Sequence, residues 1–555
     1  MATTVAAADE ATGNAAATPK PTKQGPAFWF VIVSLCIIAF TASLDGSIIA
    51  IALPQISSTL DIGDKYVQVA NCFVFAQTVV QPAIAQLCDI FGRRWPMIIA
   101  VCIFALGSGV AGGANNAATI IAGRTVQGLG SGGIMLMVEL IVCDMVPLRE
   151  RGKYLGIVLS TAALGSIAGP VIGGALVERN WRWCFYLNLP ICAVVLPVQV
   201  FFLRIKHNTI AWKDMVSRVD WIGNIIFIGA ITSLLIGLTF GGTVDPWSSW
   251  RIIVPIVVGC VGWAGFHGYE YCVRNWNACV PPRVFTNRTS LSAFYMIFVT
   301  SMLLQWVCFF WPVYFLAVRG TTLVRAGVDF LPYMFLLIPG SAIAGIALSK
   351  TGRYRRLHAI GFALSTLGPG LNTLLNENTS AGGWAMLQIV DALGRACILP
   401  TTLPAILASL SEKDVAAATG MYSFLRSFGY VWGITIPAII FNNRFNQISY
   451  RISDPIVRET LGQGRAYQFA TGPYVQTLGP GVKSEVLGVY LEALKAVWYG
   501  AMAFSATGLI AVAVEKHVPL RTELETEYGL EETRIKEKES STKTDSGKEE
   551  GFHGV

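Results

Sequence analysis

Residues 155–177 read LGIVLSTAALGSIAGPVIGGALV, an uncharged run that contains Gly165, Gly169, Pro170, Gly173 and Gly174. A helix rises 1.5 Å per residue and a hydrocarbon core is about 30 Å thick, so a run of this length spans a membrane. Yet its centre holds residues that weaken helices. Gly165, Gly169 and Gly173 recur every fourth residue and form a smooth strip along which another backbone can approach closely. Pro170 removes one backbone hydrogen bond and bends the helix, a break that survives in lipid only where neighbouring helices repair it. The stretch therefore describes a membrane helix shaped for a tight, bent crossing. Gly340, Ala344 and Gly345 in a later apolar run offer a matching small surface.

The rest of the chain repeats the theme. Of 555 residues, 53% are hydrophobic and 14% charged, and the mean hydropathy is +0.55, far from the quarter charged of soluble domains. Fourteen spans are expected, near 28–53, 66–88, 96–114, 117–143, 153–177, 183–203, 219–241, 250–272, 289–316, 326–349, 357–376, 382–410, 414–440 and 486–514. The turn after the second span carries Asp89, Gly92, Arg93 and Arg94, and the turn after the tenth echoes it with Gly352, Arg353, Arg355 and Arg356. If those turns correspond, the protein is an all-α membrane protein of two six-helix bundles, 28–203 and 289–514. The segment 204–288 then supplies a loop and two inserted helices.

Loop charge sets the orientation. The loops after the even-numbered spans two to ten hold Arg93, Arg94, Arg149, Arg151, Lys153, Arg204, Lys206, Lys213, Arg218, Arg274, Arg283, Arg288, Lys350, Arg353, Arg355 and Arg356. The opposite short loops hold about six Lys or Arg, so the positive-inside rule places the first set, and with an even span count both termini, in the cytoplasm. The net charge of +7 follows from this bias and calls for no nucleic acid. Residues 1–27 and 515–555 read as disordered tails, and 441–485 as an outer loop. The 12 cysteines fall almost wholly within spans, which argues against a disulfide framework. Asn378-Thr379-Ser380 is a sequon pressed between two spans.

Ionisable groups inside a bilayer cost roughly 2.5–3.5 kcal/mol each on insertion scales and so mark partners or pathways. Asp45 lies about 17 residues beyond Phe28, some 25 Å up the first span, and Arg124 lies about 12 Å below the outer end of the fourth. Both reach the outer half of the core and can pair, as a fixed bridge or as a site that loads and unloads a proton. Asp391 and Arg395 stand four apart, acid first, and neutralise each other on one helix face. Arg426 has no local acid and needs a partner from elsewhere. Glu139, near the inner end of the fourth span, is expected to reach water, with a gating role as the lesser alternative.

Together these stretches resemble the major facilitator superfamily, and within it the 14-span drug:proton antiporters, especially fungal toxin and multidrug efflux pumps. Gly165-x-x-x-Gly169-Pro170-x-x-Gly173-Gly174 is similar to the antiporter signature of the fifth helix, and Leu44-Asp45-Gly46-Ser47-Ile48 to that of the first. Arg124-Thr-Val-Gln127-Gly128 resembles the fourth-helix signature, Trp181-Arg182-Trp183 through Asn188-Leu-Pro190 the entry to the sixth helix, and Arg426-Ser-Phe-Gly429 the thirteenth. The loop signature departs from the pattern at Ala85 and Ile90 but keeps Asp89, Gly92, Arg93 and Arg94. The resemblance implies proton coupling at Asp45 and Arg124 and a gate at the second loop and the Gly-Pro helix. It also implies a cavity bordered by Phe73, Gln77, Gln81, Gln127, Gln305, Trp306, Phe309, Phe310, Tyr314 and Arg426. Aromatic rings with a few amides suit a planar, largely apolar compound.

The expected protein is thus a monomeric proton-coupled exporter of a small organic compound in the plasma or vacuolar membrane, with protons and lipid as its other partners and no cofactor. A Gly-x-x-x-x-Gly-Lys-Ser/Thr phosphate loop is missing from the sequence, which disfavours direct ATP use. The five histidines, at 207, 267, 358, 517 and 553, are too scattered for a metal centre, and an intramembrane enzyme is disfavoured. A proton-coupled importer of the same fold, such as a siderophore carrier, is the nearer alternative.

Overall fold

The computed structural model describes residues 25–60, 66–177, 179–204, 212–242, 245–273, 278–462, 466–470 and 473–522. Of the tails expected at 1–27 and 515–555, residues 1–24 and 523–555 lie outside the described residues, and Pro26 and Ala27 already belong to the first helix. Among the described residues fourteen long helices follow one another: α1 Pro26–Leu60, α2 Tyr66–Phe91, α3 Arg94–Gly112, α4 Ala117–Met145, α5 Leu148–Val177, α6 Asn188–Phe202, α7 Trp221–Phe240, α8 Trp250–Val273, α9 Arg288–Val313, α10 Leu331–Thr351, α11 Tyr354–Asn372, α12 Ala381–Ala408, α13 Val415–Ile448 and α14 Pro480–Val514. Among the described residues 13 helices are long and apolar enough to cross a membrane. The fourteenth, α11, opens with Arg355 and Arg356 and carries His358 and Asn372, which lowers its apolar character, but it packs fully against α12 and α14.

Side-chain caps define several starts. Asn116 accepts from the Thr119 amide at α4, Asp220 from Gly223 at α7, and Ser380 from Gly383 at α12, each satisfying a donor that the first turn leaves open. The turns after α2 and α10 both place a glycine in the left-handed region, Gly92 at φ 82° and Gly352 at φ 67°, a conformation open chiefly to glycine.

The helix pairs repeat. In the first six helices α1 packs on α5, α2 on α4, α3 on α4, and α3 on α6; in the last six α9 packs on α13, α10 on α12, α11 on α12, and α11 on α14. Each partner list maps onto the other by adding eight, as a duplicated bundle requires. The bundles meet through α5 against α10 and α2 against α13, contacts that the same shift exchanges. Helices α7 and α8 pair with each other, and α7 leans on α2 and α13, where Phe227 meets Phe424 edge-on and Asn224 donates to Gln86.

The glycine strip of α5 closes on α1 rather than on α10. A Cβ on Gly165 would stand 2.3 Å from the Phe40 carbonyl oxygen, and one on Gly169 would stand 1.8 Å from Ser47 Oγ and 3.0 Å from the Leu44 carbonyl oxygen; one on Gly173 would reach 3.4 Å from Ile48. Gly174 faces open space and is not part of the strip. The side chain of Pro170 is outside the described residues, and the helix runs on through that position. The expected partner surface on α10 is used elsewhere: Gly345 packs on Gly152, at the start of α5, and Gly340 on Ala396. A repeat of small residues reveals a close crossing but not which neighbour fills it.

The chain beyond α14 does not leave at once. Glu515 is buried against His358 Nδ1 at 3.0 Å, the Lys516 carbonyl accepts from the Tyr354 hydroxyl, and the Val518 amide donates to that same hydroxyl. Arg521 donates to the Leu410 carbonyl and pairs with Glu412, while its own carbonyl accepts from the Arg149 amide. Residues 515–522, expected as part of a loose tail, are docked.

Candidate functional site

Helix α1, drawn in by the strip of α5, delivers Asp45 to the centre of the first bundle. Arg124 Nη1 donates to Asp45 Oδ2 at 2.5 Å, and Gln127 Nε2 and Asn188 Nδ2 donate to Asp45 Oδ1 at 2.7 Å each. Gln127 Oε1 accepts from Arg124 at 2.7 Å, and the Ser108 hydroxyl accepts from both Gln127 and Asn188. Three helices, α1, α4 and α6, thus meet at one carboxylate, and Ser108 on α3 braces both amides that hold it. Their approach depends on backbone: a Cβ on Gly107 would lie 2.3 Å from the Gln127 amide nitrogen, so α3 and α4 touch main chain to main chain where Ser108 meets Gln127.

All five side chains are at most 1% exposed. Burying an ion pair is tolerable only when its remaining donors and acceptors are satisfied, and here that condition is met on one side alone. The carboxylate takes three donors, whereas Arg124 Nε and Nη2 have no hydrogen-bond partner. The guanidinium lies instead over the Phe73 ring at 4.2 Å and nearer the edge of reach of Phe185 at 5.8 Å, contacts that favour a cation without using its N–H groups. Neutralising Asp45 would therefore leave a buried cation with two idle donors.

A second intramembrane pair joins the bundles. Glu139 on α4 accepts from Arg426 Nη1 and, at 2.5 Å, from the Ser423 hydroxyl on α13, and the guanidinium stands 5.5 Å from the Tyr422 ring. Glu139 is 2% exposed, so it does not reach water as expected: a neighbouring helix covers it. Arg426 has the distant partner it requires. Around this pair Arg149 donates to the carbonyls of Ser349 and Lys350, Arg151 reaches Glu412 at 3.4 Å, and Ser160 donates to the Ile338 carbonyl. The arginine ties gather the two bundles at the arginine-rich end, and the Ser160 contact joins them nearer the middle of α5 and α10.

The second-loop residues act inside their own bundle. Arg93 is buried, donating through Nε to Asp144 at 2.8 Å and through Nη1 to the Cys88 carbonyl, with Asp89 at 3.5 Å; Arg94 donates to the Val200 carbonyl on α6. Asp391 and Arg395 pair at 2.8 Å, fully buried in the second bundle, as the four-residue spacing implies.

The expected cavity residues separate into two sets. Phe73 and Gln127 belong to the Asp45 cluster; Gln77 accepts weakly from Ser131 at 3.4 Å, Gln81 is buried with both amide atoms unpartnered, and Gln305 and Phe309 are half-buried. Trp306, Phe310 and Tyr314, by contrast, are wholly buried in packing. Trp306 lies against Phe504, Phe310 against Phe441 and Tyr467, and the Tyr314 hydroxyl donates to the Asn376 carbonyl. In this conformation those three rings build the second bundle and its outer loop, not a wall. Among the described residues no cluster of His, Cys, Asp or Glu could hold a metal ion.

Two duplicated helical bundles, joined at one end and holding a buried charge cluster off their interface, define a membrane transporter rather than an enzyme. The Major Facilitator Superfamily pattern matches residues 35–434, and the chain belongs to that family. It is similar to the MFS efflux transporter aclA of Aspergillus oryzae, 47% identical over 92% of both chains. It is similar also to the MFS-type efflux pump LUC4 of a Fusarium species, at 44% over 94% of this chain and 93% of that one, and to the efflux pump FUS6 of Gibberella fujikuroi, at 42% over 93% and 94%. Among solved structures the human organic anion transporter MFSD10 superimposes with a TM-score of 0.55 at 13% identity, covering 88% of this chain and all of that one. The proton:xylose symporter XylE does so at 0.54 and 11%, covering 89% and 98%. These last two share the fold.

Proposed function

We propose that this transporter exports a small, largely apolar organic compound, such as a secondary metabolite, toxin or drug, in exchange for protons moving inward. The observation that carries the reading is the buried Asp45 carboxylate, gripped by Arg124, Gln127 and Asn188 on helices of one bundle. The efflux names of relatives at 42–47% identity support the direction. Residues 28–203 and 289–514 act as the two rocking bundles of one monomer, with both termini in the cytoplasm and the plasma membrane as the site of work.

Asp45 carries the proton. When charged it holds Arg124; when protonated it withdraws the counter-charge, and the idle donors of Arg124 must find other acceptors, which favours a different packing of α1, α4 and α6. The contacts at the arginine-rich end, Glu139 with Arg426 foremost, keep the cytoplasmic side shut while the site faces outward. The second-loop residues Asp89, Gly92, Arg93 and Arg94 and the Gly-Pro helix govern that exchange. Gln77, Gln305 and Phe309 face the compound, and Phe73 and Gln81, buried in this conformation, come to it as the bundles rock.

One proton crossing about 100 mV releases about 2.3 kcal/mol and two pH units add about 2.7. At about 1.4 kcal/mol per decade, a single coupled carboxylate sustains a several-thousandfold gradient of a neutral solute. The test is accumulation of a fluorescent planar compound by inside-out vesicles holding the protein. An acid interior should drive uptake, and a protonophore should abolish it. Accumulation that ignores the gradient, or that runs only with its sign reversed, contradicts proton-driven export.

A further inference from the structure

An open groove between α11 and α14 at the arginine-rich end has a volume of about 540 Å³. Its rim is cationic: Arg353, Arg355 and Arg356 from the start of α11, with His517 just beyond α14. Its floor is apolar, formed by Ala359, Leu509 and Val512. Among the described residues none that lines it is acidic. The carboxylate next along the chain, Glu515, is turned inward and fully buried against His358, so it offers the rim no counter-charge. Arg355 is held in place by the carbonyls of Val512 and Ala513, each at 3.4 Å.

The neighbouring faces of these helices are bare hydrocarbon. Ile360 and Leu367 on α11 and Ile510 on α14 are each more than half exposed, which in a membrane protein marks contact with acyl chains. The groove therefore stands where the lipid-facing surface gives way to the arginine-rich end, at headgroup depth. A guanidinium fork matches phosphate oxygens two at a time, and basic pockets between membrane helices on one leaflet recognise anionic headgroups.

We propose that this groove is a binding site for one anionic phospholipid of the leaflet on the arginine-rich side. The three arginines hold the headgroup phosphate and the apolar floor receives the glycerol end of the acyl chains. A soluble phosphate would gain the rim but nothing from the floor, and a zwitterionic lipid the floor but less from the rim. The site is outside both charge clusters, and it depends on membrane embedding alone, not on the direction or coupling of transport.

The test is native mass spectrometry of the full-length protein released from nanodiscs of phosphatidylcholine and phosphatidylinositol. One phosphatidylinositol should stay bound to the unaltered protein, and R353Q/R355Q/R356Q should lower that preference about 100-fold, each arginine contributing roughly fivefold. Arg458→Gln, at the opposite end, should leave it unchanged. Should the triple variant fail to fold, Ala359→Trp, which fills the floor and keeps the rim, is expected to expel the lipid as well. Equal retention by whichever of these groove variants folds overturns the proposal. So does displacement of the lipid by millimolar inorganic phosphate, which would make the groove a soluble-anion site.

Discussion

At Asp45 three donors on two other helices converge on two oxygens. Removing one donor is a graded perturbation: Gln127→Ala deletes one hydrogen bond to the carboxylate, one to Arg124 and one to Ser108. Leaving charged, buried groups short of partners costs about 1–3 kcal/mol. We predict a transport rate reduced roughly 10- to 100-fold, with Asn188→Ala milder, checked by initial rates in vesicles at matched protein. Asp45 and Arg124 were legible as intramembrane charges because lipid makes any such residue conspicuous. Ser108 was not, since a small hydroxyl inside an apolar run carries no signal of its own. Asn188 stood in a recognisable stretch without a visible role. Glu139 was misread for a physical reason: distance along a helix to the water line says nothing about the neighbour that covers it. The clue was charge balance, Arg426 in the apolar part of α13 and Glu139 in that of α4, each with no local counter-charge on its own helix.

At the scale of one element, the strip of α5 acts by setting how near α1 comes. Gly169→Ala would press a methyl against Ser47 Oγ and the Leu44 carbonyl, the residues on either side of Asp45. Overpacking of this kind costs typically about 1–3 kcal/mol, and here it also displaces the carboxylate. The expected outcome is a lower thermal unfolding midpoint together with weakened coupling. Gly174→Ala, which meets nothing within 4 Å, should match the unaltered protein; a thermal scan of both checks the pair. The strip itself was plain from its four-residue period. Its partner was not, because α1 and α10 both flank α5 and small residues on α10 fit equally well on paper. The aromatic run of α9 failed to announce its direction for the same reason: Trp306, Phe310 and Tyr314 differ from Gln305 and Phe309 only in which side of the helix they occupy.

Across the whole molecule, the bundles are bound at the arginine-rich end through one buried pair and several half-exposed ties. Breaking a buried pair by removing one partner costs about 3–5 kcal/mol, because the other charge is left stranded. We predict that Glu139→Gln, which keeps the shape and loses the charge, biases the protein toward opening at that end. A cysteine at Ser349, whose carbonyl receives Arg149, should then react several-fold faster with a membrane-impermeant maleimide in inside-out vesicles. Unchanged labelling would make the pair a packing contact without influence on the gate. The duplicated architecture was readable from two loops, since both need a left-handed glycine before their arginines. The docking of residues 515–522 was not, because a charged segment reads as solvated until the buried histidine that receives Glu515 is seen.

The central claim is that Asp45 carries the proton that drives export. The most direct measurement compares the unaltered protein with Asp45→Asn in oriented vesicles, following a fluorescent planar compound with and without an imposed pH gradient. Asparagine preserves size and, like the protonated acid, offers one acceptor and one donor group but cannot exchange a proton, so the account predicts that Asp45→Asn moves the compound only down its own gradient while the unaltered protein moves it uphill. Uphill transport by Asp45→Asn at an undiminished rate would contradict the claim and leave Asp45 as a structural tie of the first bundle.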